Sequence, residues 1–389
     1  MSCFSLLFRK RGSSSATQST ELGIDVSDIQ NVNLYTYEEL QIATEDFSPA
    51  NKIGEGGFGS VYKGKLRNGD LAAIKVLSAE SRQGVHEFLT EIKVITSIEH
   101  ENLVKLYGCC AEGNHRILVY VYLENNSLAQ TLLRGGHSSI QFSWHIRRNI
   151  CIGVARGLAF LHDEIQPHII HRDIKASNIL LDKDLQPKIS DFGLAKLIAP
   201  NLTHISTVAA GTLGYLAPEY AIRNQVTRKS DVYSFGVLLL EIVSGRCNTN
   251  RRVPAEERYL HIRAWDLHER GELESLVDVS LDRDFNIDEA IRFCKIGLLC
   301  IQDSLLLRPS MSTVLGMLIG KTAVNEEITK PDLIFQFVGA KYGGTLKGKA
   351  EGEETSSLAG SEKQDDSSLS GTMNSFATMT FTSIYDRSN

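Results

Sequence analysis

Apolar and polar positions follow two different periods along this chain. Early on, Leu71-Ala72-Ala73-Ile74-Lys75-Val76 is a short apolar run opened by Asn68-Gly69, a hairpin-turn signal, and predicts a strand. Val85, Phe88, Leu89, Ile92 and Ile95 then recur at helical spacing and share one face of a helix. Two more strand-like runs follow, Leu103 to Cys109 and Arg116 to Tyr122. From Ser127 onward the helical period dominates, in Ile146 to Asp163, Asp231 to Ser244 and Asp288 to Gln302. A small β-rich lobe followed by a larger helical one is an α+β arrangement. No internal repeat is apparent.

Composition sets the limits of this folded region, roughly residues 36 to 338. Residues 1–34 are rich in Ser, Thr and Gly and read as a flexible leader; residues 340–389 read as a disordered Ser/Thr-rich tail, with too few large apolar groups to offset ordering entropy. A formal net charge of −6 gives no reason to expect nucleic-acid binding. The 7 cysteines are an odd number scattered through apolar segments, which reads as reduced, buried thiols rather than a disulfide framework or a metal site. The most apolar stretch, Val232 to Val243, carries Ser234 and Glu241 and is too short to span a membrane. The Phe4-to-Phe8 segment is too short for a secretory signal, and its basic residues follow it. The chain is therefore expected in the cytosol or on a membrane's cytoplasmic face.

Chemistry enters with Gly54-Glu55-Gly56-Gly57-Phe58-Gly59-Ser60-Val61. Glycines at 54, 56 and 59 let the backbone approach phosphate oxygens, because no Cβ intervenes. A dinucleotide-binding fold uses the same spacing, but it needs a helix straight after the glycines. Here Ser60 to Leu66 reads as a second strand, so strand–loop–strand fits better. Lys75 then lies inside an apolar strand, where an unpaired ammonium is costly unless it snorkels from an edge. Glu91 on the amphipathic helix is its preferred partner, with Glu87 one turn earlier as a rival. A strand lysine paired with a helix glutamate can cradle α- and β-phosphates.

The most specific segment is His171-Arg172-Asp173-Ile174-Lys175-Ala176-Ser177-Asn178, followed by Asp191-Phe192-Gly193. Asp173 can orient an attacking hydroxyl and accept its proton, and Lys175 can neutralise a γ-phosphate. Asn178 and Asp191 can hold Mg²⁺ between phosphate oxygens. Phosphoryl transfer asks for positioning and charge stabilisation, which these groups supply.

Together with Ala73-Ile74-Lys75 and Ala217-Pro218-Glu219, this series resembles the protein-kinase signature set, in order. The resemblance covers residues 47–322 and implies a bilobal kinase fold. Its N-lobe (47–122) is β-rich with one regulatory helix, and its C-lobe (123–322) is helical. Lys175, and Gly211-Thr212 ahead of Gly214-Tyr215-Leu216-Ala217-Pro218-Glu219, resemble serine/threonine rather than tyrosine kinases. Finer likeness is to the plant receptor-like kinase and interleukin-receptor-associated kinase group. It is carried by Val119-Tyr120-Val121-Tyr122, Leu106-Tyr107-Gly108-Cys109-Cys110, Asp231-Val232-Tyr233-Ser234-Phe235-Gly236 and Arg308-Pro309-Ser310-Met311. Without an ectodomain or span the chain resembles a receptor-like cytoplasmic kinase, in the subgroup that includes cold-responsive protein kinases. Ala72, where many kinases carry valine, is one departure.

The resemblance implies ATP and Mg²⁺ as cofactors, protein substrates and an upstream receptor kinase as partners, and no oligomer. It implies that the whole segment Ile53 to Val61 contacts nucleotide. Ile53, Val61, Ala73 and Leu180 would sandwich the adenine, and the backbone of Val121 and Leu123 would bond its edge. Phe192, His171, Ile95 and Leu106 would stack as a spine, Asp231 would anchor the catalytic loop, and Glu219 would pair with Arg308. By family position Ser206, Thr207 and Thr212 would be phosphorylated, beside the cation Arg172. A pseudokinase scaffold is the rival reading, but Lys75, Glu91, Asp173, Asn178 and Asp191 are all present. At the N-terminus Ser2 stands where myristoylation needs glycine, whereas Cys3, beside Phe4, Leu6, Leu7 and Phe8 and ahead of Arg9-Lys10-Arg11, suits S-palmitoylation at the plasma membrane.

Overall fold

The computed structural model describes residues 32–331, apart from 57–58, 78–81, 135–138, 213, 250–258 and 282–284. Gly57, Phe58, Cys3 and most of the expected leader, together with the whole 340–389 tail, lie outside the described residues. The N-lobe strands are β1 (Asn33–Leu34), β2 (Lys52–Gly56), β3 (Gly59–Lys65), β4 (Leu71–Leu77), β5 (Leu106–Cys110) and β6 (Ile117–Val121). They form one sheet in the order β1-β5-β6-β4-β3-β2, antiparallel except for the β1–β5 pair. Helices α1 (Tyr37–Ala43) and α2 (Arg82–Ile95) complete the lobe.

The sheet begins earlier than the sequence suggests, because Asn33 and Leu34 pair with Gly108 and Cys109 rather than trailing with the leader. Asn33 Nδ2 donates to the Tyr107 carbonyl at 2.9 Å and Tyr35 N–H to that of Cys109 at 2.9 Å. Only glycine at 108 permits this approach, since a Cβ there would lie 2.1 Å from the Asn33 carbonyl oxygen. Helix α1 starts at Thr36, whose hydroxyl accepts from Glu39 N–H while the Glu39 carboxylate accepts from Thr36 N–H, a reciprocal cap. Tyr37 stacks on His115 at 3.8 Å between ring centres.

Strand alternation then divides the lobe between two cores. Ala72 and Ile74 of β4, with Ile117 and Val119 of β6, pack with Leu40 of α1 in a small outer cluster. The intervening residues Leu77, Leu118 and Tyr120 join the main core with α2 residues Phe88, Ile92 and Ile95. The inner face therefore carries Ala73 and Lys75, and Ala72 faces away from it.

In the C-lobe the helices are α3 (Leu128–Thr131), α4 (Trp144–Ala159), α5 (Pro218–Arg223), α6 (Arg228–Ser244), α7 (Leu260–Glu269), α8 (Ile287–Cys300) and α9 (Met311–Leu318). Short strand pairs join them: β7 (His168–Ile170) with β10 (Lys196–Ile198), β8 (Ile179–Leu181) with β9 (Pro187–Ile189), and β11 (Ile205–Ser206) with β12 (Gln225–Val226). Helix α6 is buried continuously from Ser230 to Ser244, with α8 packed along it, which explains the apolar run seen in sequence. Among the described residues no helix is long and apolar enough to cross a membrane. Helix α4 widens at its end into one broader turn, Phe160–Glu164, carrying His162. The lobes meet where Ile189 N–H donates to the Asn102 carbonyl at 2.8 Å and Val104 N–H to that of Ile189 at 2.9 Å.

Candidate active site

The glycine segment is the turn of a β2–β3 hairpin, with Gly54 opposite Val61, Glu55 opposite Ser60 and Gly56 opposite Gly59. Among the described glycines of this segment, the fold demands glycine at 59, where φ is +130° and a Cβ would lie 1.9 Å from the Val76 carbonyl oxygen. At Gly56 a Cβ would meet nothing within 4 Å, and at Gly54 only ordinary contacts with Val61. Those two glycines keep space open above the hairpin rather than relieve a clash, as a cradle for phosphate requires. Glu55 is exposed and pairs with Lys52 at 3.0 Å.

Val61 lies opposite Lys75 across β3 and β4, and Ala73 opposite Tyr120 across β4 and β6. Leu180 of β8 bridges to Ser127 at the start of α3, and Ile53 is half-buried on β2. Val121 already donates its N–H to the Lys105 carbonyl at 3.0 Å. The Tyr120 phenol lies beside Glu91; burial first, then that carboxylate, hold its pKa well above 10.

Lys75 Nζ lies 2.7 Å from Asp191 Oδ1 and 3.3 Å from Glu91 Oε2. Glu91 is thus the helix partner; Glu87, also buried, packs instead against Gly193, where a Cβ would meet its own Cβ at 3.2 Å. Glu91 Oε1 also accepts the Phe192 N–H at 3.2 Å, tying α2 to the Asp191 segment. Burial opposes the ammonium, but Asp191 and Glu91 outweigh it and raise the Lys75 pKa. Burial likewise works against the Asp191 carboxylate, and Lys75, then Lys175 and His171, pull its pKa below the ordinary value. Asp191 stands at φ +70°, a conformation that only a well-determined surround holds.

The catalytic loop hangs on Asp231, a fully buried carboxylate on α6. Its oxygens accept from His171 N–H at 2.7 Å and Arg172 N–H at 2.8 Å, with His162 Nε2 at 2.9 Å. Burial would raise its pKa, but His162 and the loop's donors hold it below the ordinary value. These bonds fix Arg172 at φ +71°. Asp173 then accepts from Asn178 Nδ2 at 3.0 Å and from Thr212 Oγ1 at 2.8 Å, with Lys175 Nζ at 2.8 Å. With its amide nitrogen committed to Asp173, Asn178 keeps its oxygen for a cation, and Asp191 adds a carboxylate. That hard oxygen set suits Mg²⁺. His171 and Phe192 meet edge-on at 4.8 Å, in one apolar cluster with Ile95 and Leu106. Arg308 grips Glu219 through two bonds of 2.8 Å.

Of the expected phosphorylation sites, Ser206 is exposed on β11 and Thr207 is half-buried beside it. Thr212 stands apart from them, because its hydroxyl also accepts from Lys175 at 2.8 Å and so bridges Lys175 to Asp173. Sequence reasoning passed over the polar cluster beneath this segment. Tyr215 donates to Glu241 Oε2 at 2.6 Å, Asn248 N–H to Glu241 Oε1 at 2.6 Å, and Asn248 Nδ2 to the Gly214 carbonyl at 2.6 Å. Glu241 inside the apolar run of α6 was its one visible trace.

Comparison with known proteins agrees with this geometry. Residues 47–312 match the protein kinase domain. The chain is similar to Cold-responsive protein kinase 1 of Arabidopsis thaliana, 65% identical over 337 residues that cover 86% of each chain. It is also similar to probable LRR receptor-like serine/threonine-protein kinases of the same plant. One is 52% identical over 325 residues, 84% of this chain and 31% of that protein. Another is 54% identical over 298 residues, 76% of this chain and 29% of that protein. The chain thus spans about a third or less of these receptor-like relatives.

The Glu241 cluster has a measurable pH signature. Burial pushes its carboxyl from 4.5 up to about 7, against the bonds from Tyr215 and Asn248. A carboxyl that holds its proton more tightly folded than unfolded stabilises the fold at low pH, and that contribution is lost as pH rises through the folded pKa. Glu241→Gln keeps the shape without titrating. Its melting temperature should therefore gain on the parent's between about pH 5.5 and about pH 8, by roughly 1–2 kcal/mol or a few degrees. A difference that does not change with pH would contradict the assignment.

Proposed function

The chain belongs to the protein kinase family and is a serine/threonine protein kinase, and on that premise we propose how its residues divide the work. The carrying observation is a pair of neighbouring ion-paired groups, Lys75 with Glu91 at 3.3 Å and Asp191 at 2.7 Å and Lys175 with Asp173 at 2.8 Å, with Lys175 near enough to Asp191 to lower its pKa. Ile53, Val61, Ala73 and Leu180 enclose the adenine of ATP. Because the Val121 N–H is committed to Lys105, Val121 contributes its carbonyl and Leu123 its N–H. Lys75, held by Glu91, binds the α- and β-phosphates under the hairpin. Asn178 and Asp191 would hold Mg²⁺, which would neutralise charge on the phosphate oxygens.

The substrate's hydroxyl oxygen forms a bond to the γ-phosphorus as the bond from that phosphorus to the β–γ bridging oxygen breaks, releasing ADP. Asp173 accepts the hydroxyl proton, and Lys175 balances charge on the transferred group. Thr212, bonded to both Asp173 and Lys175, aligns a serine or threonine hydroxyl and acts here in positioning rather than as a modification site. Ser206 and Thr207 remain the phosphorylation sites, where a phosphate adds nearly two negative charges beside the active site. Protein substrates are the acceptors. Likeness to receptor-like kinases supports an upstream receptor kinase as the activating partner, and a cysteine at position 3 beside apolar residues and ahead of Arg9, Lys10 and Arg11 supports an acyl anchor at the plasma membrane.

Asp173→Asn keeps the shape and removes the proton acceptor. Its turnover on a generic basic protein should fall by on the order of 10²–10⁴-fold with ATP affinity nearly unchanged. Undiminished turnover would remove Asp173 from the mechanism.

Mass spectrometry of the active, autophosphorylated enzyme should find phosphate on Ser206 or Thr207. A phosphate-free 203–212 segment would end that assignment.

A fluorescent fusion of the full chain should mark the cell cortex, lose that signal in Cys3→Ser, and lose part of it when Arg9, Lys10 and Arg11 are neutralised. Cortical signal surviving Cys3→Ser would exclude the acyl anchor.

A further inference from the structure

Arg172 is a buried cation next to the catalytic Asp173, and its guanidinium is already engaged by neutral oxygens. Nη1 donates to the Leu194 carbonyl at 2.9 Å and Nη2 to that of Val208 at 3.1 Å. Nε donates to the Tyr220 hydroxyl at 3.0 Å, and Nη2 reaches the same oxygen. The Tyr220 ring is itself fully buried, with the guanidinium carbon 5.4 Å from its centre. All three side-chain nitrogens of Arg172 thus have neutral protein partners.

The same phenol reaches the activation segment. Tyr220 OH accepts from Ala210 N–H at 2.9 Å and donates to the Val208 carbonyl at 3.2 Å. Four residues on, one helical turn away, Asn224 takes two more backbone donors. Its carbonyl accepts Thr207 N–H at 3.0 Å, and its Oδ1 accepts Ala209 N–H at 3.0 Å. The backbone from Thr207 to Ala210 is therefore laid against the end of α5 by neutral bonds. Two residues further, Thr212 meets Asp173 and Lys175. The register at 207–210 decides whether that contact forms.

We propose that Tyr220, supported by Asn224, is a positioning residue that holds the activation segment in its working form without loop phosphorylation. A phosphate on Ser206 or Thr207 then reinforces an arrangement already made, instead of creating it. The proposal rests on the kinase reading above. It places Tyr220 behind the chemistry, acting through Arg172 and the 207–212 backbone, with no contact to substrate.

The test is a double-mutant cycle on the full chain, crossing Tyr220→Phe with the pair Ser206→Ala and Thr207→Ala. Phenylalanine keeps the buried ring and removes only the hydroxyl. The loop pair alone should keep kcat within about three-fold of the parent, and Tyr220→Phe alone, free to autophosphorylate, should stay within about ten-fold. The combination should fall by a further factor of at least about ten beyond the product of the two effects, with KM for ATP within about two-fold. A multiplicative combination would overturn the proposal, as would a loop pair that by itself abolishes turnover. Should Tyr220→Phe melt before assay, Asn224→Gly carries the same cycle, since glycine retains the left-handed backbone at φ +55° while losing the Oδ1 acceptor. A parent with no phosphoryl transfer at all would instead refute the kinase reading, which separates the two failures.

Discussion

A carboxylate sealed in the first turn of helix α6, Asp231, holds the two N–H groups of His171 and Arg172 and the ring nitrogen of His162. An unpaired buried carboxylate would be strongly unfavourable, so the loop and the helix stabilise one another. Arg172 keeps a left-handed backbone there with its N–H bonded to Asp231 at 2.8 Å. Asp173 follows directly, and its direction in space derives from that anchor. Helix α6 can carry such a group because it is buried on every side and packed against α8, which leaves little freedom for the carboxylate to relax.

The cleft above depends on a second buried charge, Lys75, which strand alternation places on the inner face of an otherwise apolar strand. Its partners come from distant segments, Glu91 on α2 and Asp191 beyond the catalytic loop. Because Glu91 also takes the Phe192 N–H, helix position, lysine position and the Asp191 carboxylate are one linked arrangement. Displacing α2 would leave an ammonium and a carboxylate buried with fewer partners, so the array forms or breaks largely as a unit.

Legibility followed chain locality. His171 to Asn178 and Gly54 to Val61 act through residues close in sequence, and their spacing was enough to propose roles. The first strand of the sheet went unread, since nothing in Asn33-Leu34 announces a strand until Gly108 supplies a partner without a Cβ. Glu91 and Glu87 both looked able to reach Lys75, and only the rotation of α2 against Gly193 separates them. The contact of Thr212 with Asp173 also went unread, because it spans a fold in the chain that spacing does not reveal. Tyr220 and Asn224 went unread because a tyrosine and an asparagine in a short helix carry no periodic signal.

What the sequence by itself determined was the α+β class, the order of lobes and the residue types available for phosphoryl transfer. Hydrophobic period and motif spacing are properties of the chain alone, and they survive any arrangement of its parts. Tertiary structure decided which charges pair, which glycines clear space and which relieve a clash, and how the activation segment is held. Those outcomes depend on distances between segments tens of residues apart, as with Arg172 and Tyr220 or Tyr215 and Glu241, and on whether burial prevails, as it does at Glu241, or is outweighed by hydrogen-bond and charge partners, as at Asp231. Such energies exist only once the chain has closed around them.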